Sequence, residues 1–188
     1  MERNNLIIGI LLSALAAASW WLTRDGVGNR EEAETPAHTP DYYIENLTGI
    51  TMDEEGKPIR QLTAELMTHY PDDDTTELIL PRITAYDGDR PPWRVRSEKG
   101  WISGDGEVIL LQGKVHIDRS AAIGVRPVHA VTYDLRVQPN DNYAESDADT
   151  HVVSLSDTLD SKGIQVWFGQ PVRIKLLTNV RGRYEANK

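Results

Sequence analysis

The sequence predicts an all-β body of antiparallel sheets, packed as a sandwich, jelly roll or barrel and preceded by one apolar helix. Three observations carry this. From Asp41 onward no window of useful length repeats its apolar residues every 3.6 positions. Alternating or β-branched runs follow one another instead, about ten of them at ordinary strand length. Gly-, Asn- and Asp-centred turn signals separate the runs at short intervals.

The helix comes first. Leu6 to Leu22 reads LIIGILLSALAAASWWL, seventeen residues without a charge. At 1.5 Å per residue that is about 26 Å, near the lower limit for crossing a hydrocarbon core. Trp20 and Trp21 close the run where aromatic side chains sit at headgroups, and Arg24 and Asp25 follow. Ala14-Leu15-Ala16 and Ala16-Ala17-Ala18 also suit a cleaved signal peptide. The apolar run continues past both sites, and Glu2 opposes Arg3 in a weakly basic leader. An uncleaved anchor over 6–22 is therefore expected, with residues 1–5 as a cytoplasmic tail. Both readings export the body. Residues 23–40 are polar and aperiodic and contain Pro36 and Pro40, so they read as a tether.

The body, 41–188, reads as strands. In Gln61–Tyr70 the alternation sets Leu62, Ala64, Leu66 and Tyr70 on one face, with Gln61, Thr63, Glu65 and His69 on the other. Glu107–Ile117 and Val128–Val137 are rich in β-branched residues. Val172, Ile174 and Leu176 alternate with Arg173 and Lys175, giving a final strand that is apolar on one face and basic on the other. Turns are expected at Glu55-Gly56, Asp87-Gly88, Asp105-Gly106, Gln112-Gly113, Asn140-Asp141-Asn142 and Lys162-Gly163.

Charge and composition narrow the function. The net charge of −9 argues against a general affinity for nucleic acid, although Lys162–Lys188 holds six Lys/Arg against the single acid Glu185. Absence of cysteine removes disulfides, thiol nucleophiles and Cys-based metal sites. The histidines at 38, 69, 116, 129 and 151 form no HxH or HxxxH pair. A metal site from His69, His116 and His129 would need convergence in space, and isolated strand residues are the plainer reading. Asp72-Asp73-Asp74 lacks the alternation, glycine and glutamate of a calcium loop and follows Pro71, so it reads as a solvated turn. No GxSxG, P-loop, GxGxxG or HExxH occurs, and Ser97, Ser154 and Ser156 lack the context of an activated nucleophile. No enzyme, cofactor or metal is expected. An apolar two-sheet interior either packs shut or stays open along one seam to hold acyl chains, at about 0.8 kcal/mol per buried methylene.

Several stretches then resemble one family. They are Pro40-Asp41-Tyr42-Tyr43, Leu62-x-Ala64 leading to Met67-Thr68-His69-Tyr70-Pro71, and Thr76-Glu77-Leu78-x-x-Pro81. Trp93 ahead of Ser97 and Gly100 follows, then Leu110-x-x-Gly113-x-Val115, and Val180-Arg181-Gly182-x-Tyr184 near the end. Together with the short tail, helix, tether and β-body they resemble the C subunit of the Lpt lipopolysaccharide-transport bridge. That resemblance implies an open β-jellyroll of two packed sheets in the periplasm of a Gram-negative cell, held to the inner membrane by a single-pass helix. It implies a lipid-binding, non-enzymatic relay in outer-membrane biogenesis: lipopolysaccharide is received from the inner-membrane ABC transporter on the N-terminal side and passed to the periplasmic A subunit on the C-terminal side. Docking by sheet edges places Tyr42 and Tyr43 at one junction and Val172, Val180 and Arg181 at the other. An acyl groove is expected from Leu47, Leu78, Leu80, Ile174, Leu176 and Tyr184, on the first, third and last strands. The rival readings are a membrane-anchored scaffold that carries no lipid and an exported hydrolase of envelope polysaccharide.

Overall fold

The computed structural model describes residues 15–21, 38–168 and 172–185. The chain divides into two units, Met1–Ala37 and His38–Lys188. In the first, residues 15–21 are helical and expose Leu15, Trp20 and Trp21. No helix among the described residues is long and apolar enough to cross a membrane. The expected tail, the start of the expected span (6–14) and most of the tether (23–37) lie outside the described residues.

Among the described residues the second unit forms eleven antiparallel strands. They are β1 (Tyr42–Met52), β2 (Pro58–Tyr70), β3 (Thr75–Ile79), β4 (Arg82–Asp87), β5 (Arg90–Arg96), β6 (Lys99–Ile102), β7 (Ile109–Arg119), β8 (Val128–Gln138), β9 (Tyr143–Ser154), β10 (Asp157–Trp167) and β11 (Arg173–Arg183). Two strands reveal how one hydrogen-bonded network makes two layers. One side of β2 pairs with β4 through Arg60–Thr63 and with β3 through Leu66–Tyr70. One side of β7 pairs with β6 through Ile109–Gln112 and with β5 through His116–Arg119. A strand whose halves take different neighbours must bend between them. Register shifts mark the bend between Leu111 and Lys114, between Val131 and Arg136, and between Lys162 and Ile164.

Backbone conformation explains the corner. Positive φ recurs in mid-strand, at Asn46 in β1, Gly113 in β7, Asp134 in β8, Gly163 in β10 and Asn179 in β11. Leu80 (φ 50°) plays the same part between β3 and β4. Glycine, asparagine and aspartate are the residues that tolerate this region, and such bulges sharpen strand bending. Gln112-Gly113 and Lys162-Gly163 are thus corners inside β7 and β10 rather than the chain reversals expected of them. The other expected turns do reverse the chain, between β1 and β2, β4 and β5, β6 and β7, and β8 and β9.

Bulges free backbone polar groups, and buried hydroxyls take them up. Ser146 Oγ donates to the Tyr133 carbonyl at 2.6 Å and accepts from the Ala148 amide at 3.1 Å. Thr132 and Thr150 share a 2.9 Å hydroxyl bond, and Ser161 Oγ donates to the Gly163 carbonyl at 3.1 Å. The Gly113 amide donates to Asp134 at 2.8 Å. Thr132, Ser146, Thr150 and Ser161 are all buried.

The core lies between the layers. Leu111, Leu135 and Ala144 from the first layer pack with Val115, Ile83, Val95 and Ile117 from the second. Cross-strand partners build inward rows: Met67, Leu78, Gly100, Leu111 and Leu135 in one layer, and Leu62, Ile83, Val95, Ile117, Ala130, Val152 and Leu159 in the other. The bend also corrects the alternation expected for Gln61–Tyr70. Leu62 and Ala64 point inward, but past the corner Met67 beside Leu78 takes the inward position, and Leu66 and Tyr70 turn away.

Candidate functional site: the inner face and the sheet edges

The inward rows continue to both ends of the sheet, and there they lose their cover. On β11, Leu176 partners buried Ile164, and Ile174 partners buried Val166. Gly182 partners Leu159, and a Cβ at Gly182 would meet the Tyr184 ring at 3.0 Å and Leu159 at 3.1 Å, so Tyr184 lies on the same side. Yet Ile174 is 51%, Val180 51% and Tyr184 70% exposed. Apolar side chains on an inner face stay wet only where nothing lies over them. The same happens at β1, where Tyr42 and Ile44 head the inward rows and are exposed. Arg173, Lys175, Arg181 and Arg183 alternate with the apolar set and point outward.

Both terminal strands are edges. Among the described residues β1 pairs only with β2 and β11 only with β10. Each therefore presents one row of unpaired amides and carbonyls along eleven residues. Tyr42 and Tyr43 lie on the first edge, Val180 and Arg181 on the second, and Val172 just precedes β11.

The six residues expected to line a groove do not come together as one set. Ile174, Leu176 and Tyr184 share the inner face of the β11 end, although Tyr184 lies beyond β11, which ends at Arg183. Leu47, half-buried, is at the opposite end beside Ala64. Leu78 is 1% exposed and belongs to the packed centre. Leu80 is outside β3, at an exposed corner, because its positive φ takes the chain from one layer to the other. Val180, which the sequence places only on the docking edge, also lies in the inward phase of Ile174 and Leu176, with Gly182 and Leu159 beside it; the polar Thr178 and Asn179 interrupt the apolar run that would have shown this.

Four histidines, 38, 69, 129 and 151, pair with carboxylates, whereas His116 Nδ1 is buried without a hydrogen-bond partner among the described residues. His69 holds Asp41 through Nδ1 at 2.8 Å and Asp74 through Nε2 at 2.9 Å, joining the residue before β1 to the β2–β3 turn. Tyr42 stacks on the His69 ring at 4.7 Å, and His38 on Tyr70 at 3.8 Å. His116 and His129 sit 5.9 Å apart on β7 and β8, away from His69's partners, so the three-histidine convergence does not form. His38, Asp72 and Asp73 bring donor atoms within 4.8 Å of one another. That group is exposed and already engaged, His38 with Asp72 and Asp73 with Thr75.

Donating to Asp41 and then to Asp74 raises the His69 pKa from 6.5, and accepting from His69 lowers that of Asp41 from 3.8. A raised histidine stabilises fully below pH 6.5 and loses that contribution as pH rises through its folded pKa. A lowered carboxylate contributes above 3.8 and loses it as pH falls through its folded value. The clasp on β1 is therefore firmest in mildly acidic solution. Amide exchange at 42–45, corrected for intrinsic rates, is expected to slow relative to β8 between pH 8 and pH 6. Burial, Arg96 and Lys114 shift His116 downward, with the opposite sign, so the readout must be local.

These observations define a bent two-layer β-jellyroll with a partly uncovered apolar inner face and, among the described residues, two edge strands. The chain matches the family model "Lipopolysaccharide-assembly, LptC-related" over residues 6–185, and it belongs to that family. Its role is accordingly in lipopolysaccharide transport. The fold is similar to the crystal structure of LptH, described as the LptA-homologous periplasmic component of the conserved lipopolysaccharide transport device from Pseudomonas aeruginosa. That likeness has a TM-score of 0.54 at 8% identity, covering 68% of this chain and 95% of that chain. No curated protein matches the sequence.

Proposed function

We propose that this chain receives lipopolysaccharide from an inner-membrane ABC transporter, shelters its acyl chains against the inner face of the jellyroll and passes it to a periplasmic bridge subunit. The observation that carries this reading is the wet apolar inner face at β11, where Ile174, Val180 and Tyr184 are exposed beside half-buried Leu176. Acyl chains laid there remove those side chains and their own methylenes from water, at about 0.8 kcal/mol for each methylene. LptH, of similar fold, is described as a periplasmic component of a lipopolysaccharide transport device, which supports the same assignment here.

The β1 edge, with Tyr42 and Tyr43, faces the transporter in this reading. The β11 edge, with Val172, Val180 and Arg181, faces the next subunit. Backbone pairing supplies affinity at each junction, and the basic outer row of β11 discourages pairing with unrelated strands. Residues 6–22 anchor the chain in the inner membrane, 23–40 span the gap, and no catalytic group is required because the transporter supplies the energy.

Among the described residues, all strand pairing and the core lie within His38–Lys188, so this unit is tested alone. It is expected to bind fluorescent lipopolysaccharide, and Ile174→Asp is expected to weaken binding at least tenfold without changing the melting temperature. Equal binding by both proteins would sink the inner-face assignment. No binding by either would leave the edge-docking scaffold as the better reading.

A further inference from the structure

The inner face ends on charge at the outer rim of the second layer. Along β7 the inward residues run Val115, Ile117, Arg119, and along β5 Val95 is followed by Trp93. Val115, Ile117 and Val95 belong to the core. Arg119 and Trp93 are cross-strand partners, and the guanidinium carbon stands 5.0 Å from the indole centre. One inward step, about 7 Å along the strand, thus separates hydrocarbon from a cation.

That cation is incompletely satisfied. Arg119 Nε is buried without a hydrogen-bond acceptor, and Arg119 forms no ion pair among the described residues. The same inward row passes through Ala85 to Arg60 on β2, which also lacks an ion-pair partner among the described residues. Arg60 and Arg119 are three strand spacings apart, about 14 Å, with only a methyl side chain at Ala85 and the indole between them. A guanidinium laid on an aromatic ring with its Nε buried still offers its terminal Nη groups to an oxyanion. An arginine placed where an apolar face meets water matches an amphiphile with an anionic head.

We infer that Arg119, seated on Trp93 at the rim of the interior, binds the headgroup phosphate of the amphiphile whose chains occupy the inner face, with Arg60 as a second anionic contact. This rests on the carrier reading and adds to it a phosphate requirement. The site selects for a phosphorylated lipid and orients it, head at the second-layer rim and chains toward the core.

The test uses His38–Lys188 with two probes, phosphorylated lipid A and chemically dephosphorylated lipid A, and inorganic phosphate as competitor. Arg119→Met keeps the aliphatic stem over Trp93 and removes the charge. It is expected to weaken the phosphorylated probe about tenfold or more and leave the dephosphorylated probe within about twofold. Arg119→Lys is expected to recover part of the loss. Equal weakening of both probes would reduce Arg119 to packing, and no weakening of either would remove it from the site. Displacement of phosphorylated lipid A by millimolar inorganic phosphate would reassign the site to the free ion. If the unchanged protein bound neither probe, the carrier reading itself would fall, whereas a loss confined to the mutant leaves that reading standing.

Discussion

Leu111→Ala is expected to lower the melting temperature of His38–Lys188 by roughly 10 °C. Leu111 is 1% exposed and stands in the inward row between Gly100 and Leu135, at the centre of the packed cluster. Truncation loses the transfer energy of three carbons and leaves a cavity, together about 3 kcal/mol. For a domain of this size each kcal/mol moves the midpoint by about 2–4 °C. Its neighbours are held by strands on both sides, so the site cannot collapse to refill the space. A thermal melt checks this. A shift under about 3 °C would mean that the centre of the jellyroll is not packed as described.

A comparable loss is expected from Gly163→Val, for a different reason. Gly163 has φ +85°, and a Cβ there would lie 2.8 Å from Leu177 Cδ1 and 3.2 Å from Leu177 Cβ. The left-handed region costs an L-residue about 1–2 kcal/mol, more for a β-branched one, and the clash with β11 adds to it. Gly113 (φ +75°) offers a control. Its Cβ would meet the Glu98 carboxylate at 2.6 Å, the mobile end of a long side chain, so Gly113→Ala should cost chiefly the backbone term. Denaturant unfolding of both variants is expected to rank Gly163→Val as the more damaging. The Gly163 change should also loosen the β10–β11 pairing, since the bulge that aims β11 is built at that position.

The strands themselves were legible because burial on one face writes a period of two into the sequence, as in Val172, Ile174 and Leu176. Corners were not. Gln112-Gly113 and Lys162-Gly163 advertise a positive φ, but a glycine that reverses the chain and one that folds a strand onto a second layer carry the same local signal. Only the partners of β7 and β10 tell them apart. The same corners shift the inward phase, which is why a single alternation over Gln61–Tyr70 misplaced Met67; Val180 keeps the phase of Ile174, and the polar Thr178 and Asn179 between them break the apolar run. Leu78 and Ile174 are both branched aliphatic residues in strand sequence. Their difference, buried centre against uncovered end, depends on how many strands flank each one. The Asp41–His69–Asp74 clasp spans 28 residues on one side and five on the other, a contact set by β1–β2 register rather than by spacing.

Photo-crosslinking along β11 during ATP-driven transport tests the central claim most directly. A crosslinker placed in turn at 173, 174, 175 and 176 reads the two faces of one strand at adjacent positions. Capture of lipopolysaccharide at Ile174 and Leu176, with little at Arg173 and Lys175, is the predicted result. Equal capture at all four, or none at Ile174 and Leu176, would contradict passage of the lipid over the inner face.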